Sequence, residues 1–169
     1  MSAGRAWVFG DDINTDLISP ARYLKRPIAE VAPHAMEAVD AGFAAGAKPG
    51  DILVGGENFG CGSSREQAPA VLRHLGLAAV VAKSFARTFY RNSMNVGLPV
   101  LVCPRTAEIK AGARLRADLE GGFVEDVDSH ERYPCNAIPP HLMAMIRDGG
   151  LIPHLEKRLK AQAAAKAAQ

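Results

Sequence analysis

Cysteine is scarce in this 169-residue chain, and the three present, Cys61, Cys103 and Cys135, stand far apart. No Cys-x-x-Cys pair occurs, which argues against a zinc site or a self-contained iron–sulfur cluster. An odd number of scattered thiols reads as reduced cysteine, not as a disulfide framework. Charge of one sign is also lacking: the formal net charge is +2, too small to argue for nucleic acid. There is no long basic run and no aromatic-rich RNA signature. No apolar stretch is long enough to span a membrane. The amino terminus lacks the apolar segment of a signal peptide, so a cytoplasmic protein is expected. His34, His74, His130, His141 and His154 stand at no metal-ligand spacing. Internal repeats and dividing linkers are absent too.

What remains is an ordinary globular composition, 48% apolar, enough for one domain with a sizeable core. Residues 5–9 read as a first strand, followed by a polar, turn-rich loop over 10–16. A short helical turn is expected at 20–24. Two short helices follow over 28–39, with Pro27 and Pro33 suited to their first positions. Residues 41–48 are small and glycine-bearing, a mobile loop. Apolar runs at 51–54, 77–82 and 98–102 read as buried strands. Helical patterns lie between them at 70–75 and 85–96, with Ser84 as N-cap and Gly97 as stop. That alternation implies parallel β-α-β packing. Residues 113–119 and 123–127 form a hairpin around Gly121-Gly122. A helix at 141–147 closes at Gly149-Gly150. The expected division is a domain over 1–150 and a helical tail over 151–169, frayed at its end.

The chemistry concentrates in Gly55-Gly56-Glu57-Asn58-Phe59-Gly60-Cys61-Gly62-Ser63-Ser64-Arg65-Glu66-Gln67-Ala68-Pro69, between a strand and a helix. Four glycines let the backbone turn tightly and approach a bound group. Two hydroxyls and a guanidinium then meet a helix start, a place that favours anions such as carboxylate or phosphate. The loop lacks the Gly-Lys-Ser/Thr ending of a nucleotide-binding loop. Ser63-x-x-Glu66 also fits a capping box, which needs no chemistry. Pro69 opposes that reading, because only the first four helical N–H groups lack partners, so the helix starts at or after Glu66. Cys61 has no local partner that would make it a nucleophile. Arg87 and Arg91 share one helix face, a spacing suited to an anion, an interface or a solvated surface.

Several segments together resemble the small subunits of 3-isopropylmalate dehydratase and their homoaconitase relatives, the swivelling domain of the aconitase superfamily. They are Asp12-Ile13-Asn14-Thr15-Asp16-Leu17-Ile18-Ser19-Pro20, Tyr23-Leu24, the run from Gly56 to Glu66, Ala82-Lys83-Ser84-Phe85-Ala86-Arg87, Phe89-Tyr90-Arg91-Asn92 and Asn95-Val96-Gly97-Leu98. Their joint occurrence in order, over about residues 8–150, is more specific than any one motif. The resemblance implies an α/β fold: a single swivelling β/α domain with a central, mostly parallel sheet, flanking helices and a C-terminal hairpin. It implies a hydro-lyase that moves the hydroxyl of a 2-hydroxy acid by dehydration and rehydration. The partner would be a large subunit carrying a [4Fe–4S] cluster that acts on the hydroxyl as Lewis acid, with no metal bound by this chain. Carried over residue by residue, Ser63 matches the catalytic base. Ser64 and Arg65 match substrate-binding residues beside it, Arg65 holding a carboxylate, and Asp16 matches an active-site aspartate. Lys25 and Arg26 fall in the specificity loop, where isopropylmalate enzymes often carry apolar residues and enzymes acting on homoaconitate or citrate carry an arginine for a third carboxylate; a homoaconitase or other dicarboxylate dehydratase, of citraconate or dimethylmalate type, is therefore the alternative. Gln67 stands where the family often has histidine. A non-catalytic anion-binding or regulatory module is the alternative of another class.

Overall fold

The apolar runs become strands because each is buried on both faces. In the computed structural model, which describes residues 2–167 (Ala167 by its backbone alone), β1 (Gly4–Val8), β2 (Ile52–Gly55), β3 (Ala79–Ala82) and β4 (Val100–Val102) lie side by side and parallel. Every residue of β2 and β3 is buried, as expected of a parallel sheet covered on both sides. On the other side of β1 the sheet turns antiparallel. There β5 (Arg114–Asp118), β6 (Phe123–Asp126) and β7 (Arg132–Pro134) complete a seven-stranded sheet in the order β4-β3-β2-β1-β5-β6-β7. In β5 exposed and buried residues alternate, the mark of a strand packed on one face only. The sheet curls until its ends meet: the Asn136 N–H donates to the Val102 carbonyl, 3.0 Å away.

The expected hairpin at 113–127 forms and gains β7, which sequence reasoning missed. Arg132 and Pro134 are exposed around a buried Tyr133, and a charged three-residue strand carries little apolar signal.

The helices occupy the crossovers. After β1 come α1 (Thr15–Ile18), a 3-10 turn at Ala21–Tyr23, α2 (Ile28–Val31), a second 3-10 turn at Ala32–His34 and α3 (Phe43–Gly46). Then α4 (Gln67–His74) joins β2 to β3, and α5 (Arg87–Asn95) joins β3 to β4. Helix α4 packs against α1, α2 and α5. Helices α6 (Pro140–Arg147) and α7 (Leu151–Ala167) follow the meander, and both contact α5. The expected fraying of the tail falls on residues 168–169, outside those described. No helix among the described residues is long and apolar enough to cross a membrane.

Three local expectations are corrected. The segment 41–48 is no mobile loop: it contains α3, and Phe43 is fully buried, edge-on to Trp7 (5.2 Å between centroids) and Phe9 (5.6 Å). One aromatic anchor among small residues is enough to dock it. Ser84 does not cap α5, whose N-cap is Ala86; its Oγ instead accepts from the Asn58 N–H at 2.7 Å. Residues 14–16 do not stay in a loop, because the Asn14 side chain accepts from the N–H groups of Asp16 and Leu17 and caps α1.

Candidate active site

The loops leaving β1 and β2 are adjacent because their strands are, and they are stitched together along their length. The Asp12 N–H donates to Glu57 O (2.9 Å), Gly60 N–H to Ile13 O (2.7 Å) and Thr15 N–H to Cys61 O (2.8 Å). Side chains add to this: Glu57 N–H to Asp11 Oδ1 (2.7 Å) and Asn58 Nδ2 to Asp12 Oδ1 (2.8 Å). Asp12 and Asn58 both adopt positive φ, 54° and 56°, values that short polar side chains tolerate. Lys83 closes the outer rim on Glu57 at 2.5 Å, a bond that raises the lysine's pKa.

Glycine is required at two points of the loop. A Cβ on Gly56 would stand 1.9 Å from Asp11 Oδ1, and one on Gly60, whose φ is +76°, would stand 2.1 Å from Phe89 Cγ. Beneath the loop Phe59, Phe85 and Phe89 pack as an aromatic cluster.

On this support four of the predicted site residues come together. The Ser63 N–H donates to Thr15 Oγ1 at 3.1 Å, and the Ser63 side chain is exposed. Ser64 is held from α5, its carbonyl accepting from Asn92 Nδ2 at 3.1 Å. Arg65 Nη1 lies 2.5 Å from Asp16 Oδ1, an ion pair 17% exposed on the arginine side and 56% on the aspartate side. That nitrogen is buried and faces the Asp16 carboxylate without an aligned hydrogen bond, so the pair is held by charge. The capping box does not form: α4 begins at Gln67 with Glu66 as N-cap, and Glu66 makes no side-chain cap bond. Pro69 thus falls at the third helical position, where no N–H is needed.

Lys25 and Arg26 lie on the neighbouring turn, both exposed. Arg26 reaches Glu30 (3.4 Å) and sits over the Tyr23 ring, which stacks on His34. Sequence reasoning noted Gln67 only as a departure, but its side chain joins this turn to α4. The sole signal was its place two residues after Arg65.

The site is an open surface. A cavity of about 610 Å³ lies among β5, β6 and α6, and a groove of about 510 Å³ between α5 and α6 is lined by Arg87 and Arg91; Ser63, Ser64, Arg65 and Asp16 line neither. The cysteines do not fit an iron–sulfur cluster held by this chain. Cys61 belongs to the glycine loop, whereas Cys103 and Cys135 adjoin where the curled sheet closes. The contact with Cys135 lowers the pKa of the Cys103 thiol and raises that of Cys135, whose Sγ donates to the Tyr133 carbonyl at 3.3 Å. Among the described residues no three His, Cys, Asp or Glu side chains converge as metal ligands.

Residues 12–106 match the family model of the aconitase C-terminal domain. The 3-isopropylmalate dehydratase small subunit of Nautilia profundicola is 49% identical, over 93% of this chain and 95% of that protein. The methanogen homoaconitase small subunit of Methanothermobacter thermautotrophicus is 43% identical, over 92% and 91%. A crystal structure of 3-isopropylmalate dehydratase from Methanocaldococcus jannaschii superposes with a TM-score of 0.91 at 41% identity, covering 96% of this chain and 98% of that one.

Proposed function

We propose a function from one premise: this chain belongs to the aconitase C-terminal domain family, among its 3-isopropylmalate dehydratase small subunits. It is the small subunit of a heteromeric hydro-lyase that interconverts 2-isopropylmalate and 3-isopropylmalate in leucine biosynthesis. Residues 1–150 are the swivelling domain and 151–169 an appended tail. The partner is a large subunit, to which the iron–sulfur cluster is assigned. A cytoplasmic setting suits the three free thiols.

The observation that carries this reading is the meeting of the 14–16 turn with the Ser63–Arg65 loop on an uncovered surface. A serine hydroxyl removes a carbon-bound proton only if its alkoxide is stabilised, since its free pKa is far too high. The surroundings supply that help. The amino-terminal end of α4 carries partial positive charge, and the largely buried Arg65 guanidinium, two residues along the same loop, adds a full one. Arg65, fixed by Asp16, orients a substrate carboxylate through paired N–H bonds, and Ser64 adds a further polar contact. Ser63 Oγ then takes the proton from the carbon beside that carboxylate and returns it on rehydration. Because these groups face outward, the partner's surface excludes water and completes the site.

Ser63→Ala in the complex of both subunits tests this. Isopropylmaleate hydration should fall by about 10²–10⁴-fold while the two chains still co-purify. Unchanged turnover would leave a non-catalytic anion-binding module as the better reading. One observation favours a second substrate class: Lys25 is exposed and forms no ion pair among the described residues, a cation free for a third carboxylate. Comparing hydration of isopropylmaleate with that of homoaconitate and citraconate decides between them.

A further inference from the structure

We propose that Gln67 is a positioning residue for substrate selection, its side-chain amide pinning the 23–26 turn to the first residue of α4. The proposal rests on the functional reading above. Ser19, fully buried, donates its hydroxyl to Gln67 Oε1 at 3.0 Å. On the other side Gln67 Nε2 donates toward three carbonyls in succession, Tyr23 O (3.3 Å), Leu24 O (3.2 Å) and Arg26 O (3.4 Å).

These bonds fix the orientation of the amide. Turned over, its oxygen would face three carbonyl oxygens, and its nitrogen would need an acceptor at Ser19. Tyr23 O already accepts from the Arg26 N–H inside the turn at 2.9 Å. Leu24 O and Arg26 O have no other protein donor among the described residues. One side chain therefore satisfies the inner face of the turn that presents Lys25 and Arg26. Its own backbone lies two residues from Arg65, so the selecting turn and the carboxylate grip share a single fixed strut. An error of about 1 Å in such a relation costs up to about 10²-fold in kcat/KM, and one confined to the binding turn falls on KM.

Two variants separate positioning from stability. Gln67→Met keeps length and bulk but removes both hydrogen-bonding ends. Gln67→Glu keeps the acceptor for Ser19 and sets a carboxylate oxygen against three carbonyls. In the complex of both subunits, KM for isopropylmaleate should rise roughly tenfold with Met and further with Glu, with kcat held within about twofold. In the isolated chain, hydrogen exchange over residues 21–27 should quicken roughly tenfold while exchange in β2 and β3 stays as in the wild type. Should the Glu variant fail to fold, the Met variant carries the test alone. Unchanged KM, unchanged exchange in the turn, or kcat falling as far as kcat/KM overturns the proposal, and in each case wild-type turnover stays intact. A wild-type complex that hydrates none of the candidate acids is a different result: it overturns the functional reading, and this proposal with it.

Discussion

Gly60→Ala offers the sharpest test of how the site loop is held up. The added methyl would stand 2.1 Å from Phe89 Cγ, 2.4 Å from its Cβ and 2.5 Å from its Cδ2. Turning the ring can move Cγ and Cδ2, but the Cβ is fixed to the backbone, so no rotamer of Phe89 relieves the 2.4 Å contact. Phe89 is itself buried and packed on Phe59 and Phe85. Two costs combine. An L-residue at φ +76° loses about 1–2 kcal/mol, and forcing a methyl into a filled core costs about 1–3 kcal/mol more. The sum, about 2–5 kcal/mol, lowers Tm by very roughly 10 °C in a chain of this size. Gly112→Ala is the control: its φ is +81°, and nothing lies within 4 Å of the added carbon. It bears the conformational cost alone, partly offset by a less flexible unfolded chain. Urea unfolding of both variants, read by far-UV circular dichroism, isolates the packing contribution as the difference. Equal losses in the two would refute the claim that Phe89 props the loop.

Two further outcomes follow from the fold. Phe43→Ala should cost about 3–5 kcal/mol in urea unfolding, and a loss below about 1 kcal/mol would return 41–48 to the loosely packed loop its composition suggests. Glu125, nearly buried between Arg116 (2.5 Å) and Arg132 (3.5 Å), has its pKa lowered, first by the hydrogen bond from Arg116. A lowered carboxyl stabilises the fold fully above its unfolded pKa of about 4.3 and loses that contribution as pH falls through the folded value. Glu125→Gln should therefore flatten the acid limb of the stability curve below about pH 5, and an acid limb identical to wild type would show the pair to be inconsequential.

Local chemistry was legible where it was decided locally. Val54, Val80 and Leu101 announce buried strands, because a parallel sheet covered on both faces admits little else. Pro69 placed the start of α4, since a residue without an N–H has few permitted positions there. The serine–arginine motif marked the candidate site, and with the other segments it pointed to the family. What could not be read was pairing at a distance. Nothing near Ser63 says that its N–H will meet Thr15, 48 positions away, and Ser84 looks like a cap until Asn58 claims it. Gln67 was visible as a residue but not as a strut, since its partners, Ser19 and the carbonyls of the 23–26 turn, all lie more than forty positions upstream.

The ends of the sheet govern how readily other copies of the chain can pair with it. Both outermost strands, β4 and β7, are only three residues long. The first is partly covered by the bond from Asn136 to Val102, and the second is flanked by an exposed arginine and a proline that has no N–H to offer. Short, charged and proline-bearing margins make poor templates for another strand. Such margins leave little free backbone for a second copy to pair with, while the Ser63–Arg65 face stays open.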